Sequence, residues 1–441
     1  MSMRIPLLIS GLLVLTVGWC RGQVCGCTDS LATNYNADAT LNDGSCLYDT
    51  SIIHATEIGQ LDAVLDGTST LFYWNNGYWT YIDHDGRYLY RVNNSDASIM
   101  QTLDIKGIRC NDAEEVSQDR HYLYFGDIGN NVCGCRQDLR ILRVNKNMLY
   151  GLIAVDTIAF SYEDQTDFSE LPTNSTDFDC EAFIVTDDSI YLFTKQWVSK
   201  QTTIYSLPKT PGTHIAHRRG TYNTQGLVTG ATYLPEYRLV VLCGYDYGSF
   251  LTSLHPFILL LYDFQGNDFF SGNKRRLDFE SMEKAQIEAI ATPNALDYFI
   301  TNEHFSGFFM GVLSINIPAM LQHLDLRDYL LPYLSGFPGF VDTLPPPDTI
   351  PLNNAIHSPQ SGPDHILIYP NPAKDRLYID FPQELWGAEY EIFNLNGQRV
   401  AEGVLNEKVI PLGKSTMPAG QYVLTIRKNK SLRTMLFVKQ E

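Results

Sequence analysis

Asp179-Cys180-Glu181-Ala182-Phe183, followed by Ile190-Tyr191-Leu192-Phe193-Thr194-Lys195, decides the fold, because the pair recurs along the chain. Upstream stand Asp112-Ala113-Glu114-Glu115-Val116 and then Tyr122-Leu123-Tyr124-Phe125-Gly126-Asp127. Downstream stand Gln286-Ile287-Glu288-Ala289-Ile290 and then Tyr298-Phe299-Ile300-Thr301-Asn302-Glu303. A degenerate copy, Thr229 to Tyr233 with Leu239 to Gly244, lacks the acid, and a weak first copy is Leu61 to Val64 with Leu71 to Trp74. Each unit reads as a short strand, a turn and a second strand. The copies are spaced by roughly 50 to 65 residues, at or above one four-stranded propeller blade. Residues 52 to about 335 then hold roughly five to seven blades, and the spacing predicts a β-propeller of about six. Two β-sandwich domains are the rival arrangement. They give no reason for a Glu at the head of equivalent strands, so the propeller is preferred.

Composition agrees with an all-β chain. Tyr 26 and Phe 22 are strand formers, and long charged helical runs are scarce. The net charge of −18 argues against nucleic acid and against docking on an anionic membrane surface. Residues 1–22 read as a signal peptide, with Arg4 at the start and an apolar stretch from Pro6 to Trp19 too short for a membrane span. Cleavage after Gly22 would leave Gln23 first. No later segment is long and apolar enough to span a bilayer, so the mature product has no transmembrane span.

Eight cysteines remain after Cys20, which in an exported chain suggests disulfides. Cys27 and Cys46 bracket a short polar loop and are the best pair. Cys133-Gly134-Cys135 does not have zinc-knuckle spacing. Residues 23–48 are crowded with Asn and Asp, and read as a run of Asx turns closed by that disulfide rather than as a calcium loop, because the ligand order does not fit an EF-hand. The segment resembles the GCTD…NY…DGSC repeats of proteins exported by the type IX route.

Residues 336–364 are a Pro-rich linker. Residues 365–441 alternate strand runs with turn signals and predict a small β-sandwich. Tyr369-Pro370-Asn371-Pro372, Ile392 to Gly397, Met417 to Tyr422 with Gly420, and Phe437-Val438-Lys439 follow in order. On these pieces the segment is similar to the type A C-terminal sorting domain of type IX (Por) secretion. The resemblance implies the type IX machinery as partner and a Gram-negative source. It also implies a protein released outside the cell or held on the outer surface.

The repeated acid is the candidate site. Equivalent positions of successive innermost strands converge near a propeller axis. Glu114, Glu181 and Glu288 should therefore meet, with Asp112 and Asp179 beside them, and Asp127 and Glu303 close after the second strands. Such carboxylates need a cation, a basic partner or raised pKa values. Calcium fits an all-oxygen donor set. The middle segment weakly resembles the phytase-like (esterase-like) propellers, through Asp179 to Phe183, Gln286 to Ile290 and Asn302-Glu303. That resemblance implies a calcium-dependent phosphoesterase, with Lys195 and Arg140 as phosphate clamps. The acid is altered or missing in some copies, so the preferred reading is a binder of a ligand, glycan or protein, with a metal in the channel. Tyr78, Trp79, Trp197, Tyr245 and Tyr247 are the aromatics that could serve it.

Overall fold

The computed structural model describes residues 23–83, 86–105, 107–149, 153–247, 254–280, 285–309, 313–343, 366–369, 373–381, 383–394, 398–413, 417–428 and 431–440. Residues 1–22, expected to be a signal peptide, residues 344–364 of the expected linker, Pro370, Asn371, Pro372 and Gly397 lie outside them.

The chain opens with a short parallel pair, β1 (Cys25–Gly26) and β2 (Leu41–Asn42). The Cys27–Cys46 disulfide closes this segment. Its carboxylates and amides cap local backbone: Asn36 accepts from the Asp38 N–H at 3.0 Å, Asn42 from Gly44 at 2.9 Å and Asp43 from Ser45 at 3.0 Å. The segment is thus a run of Asx turns. It docks on the propeller, with Thr28 donating to Asp263 at 3.0 Å and Asn42 donating to Asn273 at 2.8 Å.

Two strands follow, β3 (Ser51–Ile53) and β4 (Thr56–Gln60). Blade 1 is β5 (Thr68–Trp74), β6 (Gly77–Ile82), β7 (Tyr88–Val92) and β8 (Ile99–Asp104). Asn75 and Asn76, at φ 51° and 54°, form the two-residue turn between its first strands, as tight hairpins require. Blade 2 is β9 (Ala113–Gln118), β10 (Tyr122–Asp127), β11 (Arg140–Asn145) and β12 (Val155–Tyr162). Blade 3 is β13 (Asp179–Val185), β14 (Ser189–Lys195), β15 (Thr202–Pro208) and β16 (Gly212–Tyr222). The outer strands β12 and β16 pair in parallel, which fuses blades 2 and 3 into one eight-stranded sheet. Blade 4 is β17 (Leu227–Leu234), β18 (Leu239–Tyr247), β19 (Leu254–Tyr262) and β20 (Asn273–Phe279), with β3 added in parallel at its edge.

Blade 5 begins with β21 (Ile287–Ala291) and β22 (Asp297–Asn302). A hairpin, β23 (Phe305–Phe309) and β24 (Leu313–Ile317), precedes its third strand, β25 (Met320–Asp325). Its fourth strand is β4, which pairs Gln60 with Met320. The N-terminal strand therefore completes the last blade. α1 (Arg327–Leu334) then packs Leu330 and Leu334 against blades 4 and 5.

The innermost strands β5, β9, β13, β17 and β21 neighbour one another in sequence order, and β21 returns against β5. This is a closed ring of five blades rather than about six. The repeat spacing included long loops, 128–139 and 163–178, so fewer blades fill the span. The weak first copy is also corrected. Leu71 to Trp74 belong to the innermost strand of blade 1, and Leu61 to Val64 form no strand.

Each gap between successive blades is filled by its own apolar cluster. Trp79, Tyr81 and Phe125 join blades 1 and 2, and Tyr124, Phe183 and Leu192 join blades 2 and 3. Phe193, Phe257 and Phe269 join blades 3 and 4, Ile258, Ile290 and Tyr298 join blades 4 and 5, and Leu71, Tyr78 and Phe299 close the ring. Tyr78 and Trp79 are therefore core residues, not ligand contacts. A second disulfide joins Cys133 and Cys135, while Cys25, Cys110, Cys180 and Cys243 are free thiols. Cys180 and Cys243 are buried and act as small apolar side chains.

At the C-terminus, β26 (Leu367–Tyr369), β27 (Arg376–Asp380), β28 (Glu389–Asn394), β29 (Arg399–Val404), β30 (Val409–Pro411), β31 (Gly420–Lys428) and β32 (Ser431–Lys439) form two sheets. Leu377, Ile392, Tyr422 and Phe437 fill the space between them, which makes the expected sandwich.

Trp79 is wholly buried and donates its indole N–H to Trp74 O at 3.0 Å. Trp79→Ala is expected to cost about 3–5 kcal/mol. Urea unfolding monitored by near-ultraviolet circular dichroism would measure it.

Candidate functional site

All five innermost strands carry a β-bulge at the same place, near their N-terminal ends. The extra residue is Ser69 in β5, Glu114 in β9, Glu181 in β13, Thr229 in β17 and Glu288 in β21. A bulge puts two residues opposite one and re-aims the extra side chain. Three of the five are glutamates, and all three line one cavity of about 210 Å³ at the mouth of the central channel. The convergence expected from the repeat is therefore present. Asp112 and Glu303 line the same cavity. Ser69 and Thr229 turn their hydroxyls to backbone instead, Thr229 donating to Ile287 O at 2.5 Å.

The second strand of each unit contributes too. The residues facing the position two before the bulge are Asp83, Ile128, Lys195, Tyr245 and Glu303. All but Ile128 line the cavity. Asp83 was hidden in the sequence because the first copy of the repeat is out of register. Asn131, Asn174, Gln286 and Trp197 complete the wall. Gly129 makes room for the acids: a Cβ there would collide with the carboxylates of Asp112 and Glu114.

Two expected residues lie elsewhere. Asp127 pairs with Ala113, one residue short of the cavity-facing position. Strand alternation therefore turns it to the other face. There it is buried and paired with Arg136 at 2.8 Å and Arg140 at 2.9 Å. Asp127 and Arg140 thus belong to a structural ion cluster away from the mouth. Asp179 is also withdrawn. It is fully buried and accepts from the Asn130 N–H at 2.6 Å, the Cys180 N–H at 3.1 Å and the Trp197 indole at 2.7 Å, so it fixes the loops around the cavity.

The lining holds six carboxyl groups and one cation, Lys195. Its ammonium lies 2.5 Å from Glu181, with both side chains nearly buried. The same ammonium stands 4.8 Å from the Trp197 ring centre and 5.1 Å from that of Tyr245, within cation–π range. Burial pushes the Glu181 carboxyl up to about 8, against the pull of Lys195. Burial, then Glu181 and Asp112, hold Glu114 well above the usual range. Glu288 is raised well above it by burial, with Lys195 opposing. Asp112 is pushed up to about 6 by burial and the nearby Asp179. Among the described residues, no three acidic, His or Cys side chains converge closely enough to hold a metal ion as they stand.

Glu115 is a further buried acid. It accepts from Thr70 at 2.8 Å, from the Val116 N–H at 2.9 Å and from the Ala231 N–H at 3.0 Å. These bonds join blades 1, 2 and 4 across the channel. Burial still pushes this carboxyl up to about 8.

Comparisons with known proteins follow this geometry. Residues 367–440 match the family described as the secretion system C-terminal sorting domain. The chain is thus an exported type IX substrate: a five-bladed β-propeller followed by a C-terminal sorting sandwich. It is secreted or displayed on the outer surface. No curated protein matches the chain significantly in sequence. Among solved structures, glutaminyl cyclase from Myxococcus xanthus is 11% identical over 63% of this chain and 99% of that one, with a TM-score of 0.37. PorZ of Porphyromonas gingivalis, a surface component of the type IX secretion system, is 11% identical over 85% of this chain and 45% of that one, with a TM-score of 0.30. The WD40 repeats of RRP9 are 7% identical over 62% of this chain and 99% of that one, with a TM-score of 0.30. Likenesses at this level assign no activity.

The raised carboxyls set a pH dependence. An acid whose pKa is higher in the folded chain holds its proton more tightly there, so its contribution is complete below the unfolded value near 4.5 and is lost as pH rises through the folded value. Stability is expected to fall between about pH 5 and pH 8, by roughly 1 kcal/mol per pH unit for each group still titrating. Glu288→Gln should flatten that fall. Urea midpoints across this range for both chains would measure it.

Proposed function

We propose that the propeller of this exported protein binds a cationic ligand at its carboxyl-lined mouth. The observation that carries this reading is the charge imbalance of the lining, six carboxyl groups against the single ammonium of Lys195, already engaged by Glu181. Because burial raises these acids, they hold protons that an incoming cation would displace, whereas a phosphate would meet no cation of the described lining that is not already paired. Trp197 and Tyr245 supply flat apolar wall beside the acids, as binding sites for organic ligands commonly do.

A calcium-dependent phosphoesterase is the second reading. It is favoured by the all-oxygen character of the acids, which suits calcium. Glu114, Glu181, Glu288 and Glu303 are the residues that would hold the ion. Against it, the two proposed phosphate clamps are occupied, Arg140 by Asp127 and Lys195 by Glu181. The acids also do not gather around one point, so no hydrolytic step is assigned to them.

Thermal melting of the purified chain at pH 8 separates the two. Cations, either calcium or a polyamine, are expected to raise Tm by a few degrees, while inorganic phosphate and inositol phosphate leave it unchanged. Turnover of p-nitrophenyl phosphate in calcium, lost in Glu181→Gln, would replace the binding reading with the hydrolytic one. No response to any cation would remove both.

A further inference from the structure

Resting on the reading of the mouth as a cation-binding site, we infer that its occupant is a primary ammonium group on an aliphatic stem, not a metal ion. Glu288 is the first reason. It is 6% exposed and lines the cavity, yet its hydrogen-bond partner among the described residues is another acid, Glu181. Among those residues Lys195 makes its ion pair with Glu181 and acts on Glu288 as a neighbouring charge rather than as a hydrogen-bond donor. A buried carboxyl that faces a cavity without an N–H donor lacks the partner that buried acids normally have. An ammonium brings three N–H donors and a full charge to that position.

Size is the second reason. A cavity of about 210 Å³ has room for several waters, each occupying about 30 Å³ in the liquid, and so for a short alkyl chain as well. A bare divalent ion would leave most of it unfilled and would find no three converging donors. The walls are the third. Trp197 and Tyr245 already flank one ammonium, that of Lys195, so the surface of this mouth suits the chemistry of an amine.

The sequence next to the lining bears on the stem. Val132 follows the lining residue Asn131, and Val198 follows the lining residue Trp197; they are 68% and 66% exposed. The backbone bond from the Asn174 N–H to Asn131 O, at 2.8 Å, ties loop 163–178 to loop 128–139, which carries Val132. Exposed aliphatic residues next in sequence to the lining of a charged cavity match a ligand with a charged head and an apolar body. Free diamines and the lysine side chains of peptides share this chemistry.

Isothermal titration of the purified chain at pH 7.5 tests the assignment, with cadaverine, Nα-acetyl-lysine methylamide, 1-pentanol and calcium chloride as separate probes. Saturable binding of cadaverine is expected, weakened at least tenfold in Glu288→Gln, with no binding of 1-pentanol. Asp83→Asn, on the less buried side of the cavity, gives a second variant should the first fail to fold, and the same weakening is expected. Binding of the lysine derivative as well would identify peptide side chains as the source, and binding of cadaverine alone would identify a free amine. Calcium binding without amine binding would overturn this inference and leave the cation-binding mouth intact. Equal binding of 1-pentanol and cadaverine would overturn it by showing an apolar site. Binding of no probe would overturn both.

Discussion

One extra residue in each innermost strand sets the character of this molecule. Ring closure brings five equivalent backbone positions to one axis, and the bulge decides which side chain is presented there. With alanine at those positions the lining would keep Asp83, Asp112 and Glu303 but lose half of its carboxyl groups. With glutamate at three of them, acids are forced together whatever their mutual repulsion. The ring can impose this because each blade is held by its own apolar clusters, which are independent of the mouth. The cost of crowding the acids is thus met by packing between the blades, not by the acids themselves.

Lys195 moderates that crowding without abolishing it. It comes from the second strand of blade 3, beside Glu181 of the same blade, so the pair forms within one sheet. The acids of blades 2 and 5 have no such internal partner from their own second strands, which offer Ile128 and Glu303 at the matching place. The field in the mouth is therefore uneven, neutralised on one side and acidic on the others. An incoming ligand meets orientation as well as charge. Lower down, Glu115 reaches across the channel, accepting from the Thr70 hydroxyl of blade 1 and from the Ala231 N–H of blade 4.

Much of this was legible in the residues. The recurrence of acid, turn and aromatic strand pointed to a propeller, and it aligned Glu114, Glu181 and Glu288 correctly. The tail pieces from Tyr369 onward pointed to the export route. What could not be read follows from the bulge itself. A bulge shifts register by one, so the face taken by residues on the partner strand cannot be counted from the motif, and Asp127 was placed in the mouth when it lies behind it. Arg140 followed it there in error, because the two are ion-paired. The aromatics divide for a similar reason. Tyr78 and Trp79 sit inside the first hairpin, where both faces are covered by neighbouring blades, whereas Trp197 and Tyr245 end or follow a second strand, where the sheet opens. Blade number was overstated because loop length and blade length are indistinguishable in a repeat spacing.

The closure of blade 5 by β4 has a consequence for how the chain folds. The pairing of Gln60 with Met320 joins the two ends of the propeller, so the ring exists only when nearly the whole of it has been made. Until then β4 is an open edge waiting for a partner, and such edges invite wrong pairings. The contact is also among the longest-range in sequence, which slows the search for the native arrangement. The N-terminal strand acts as the last stitch, and the fold locks from its beginning rather than from its end.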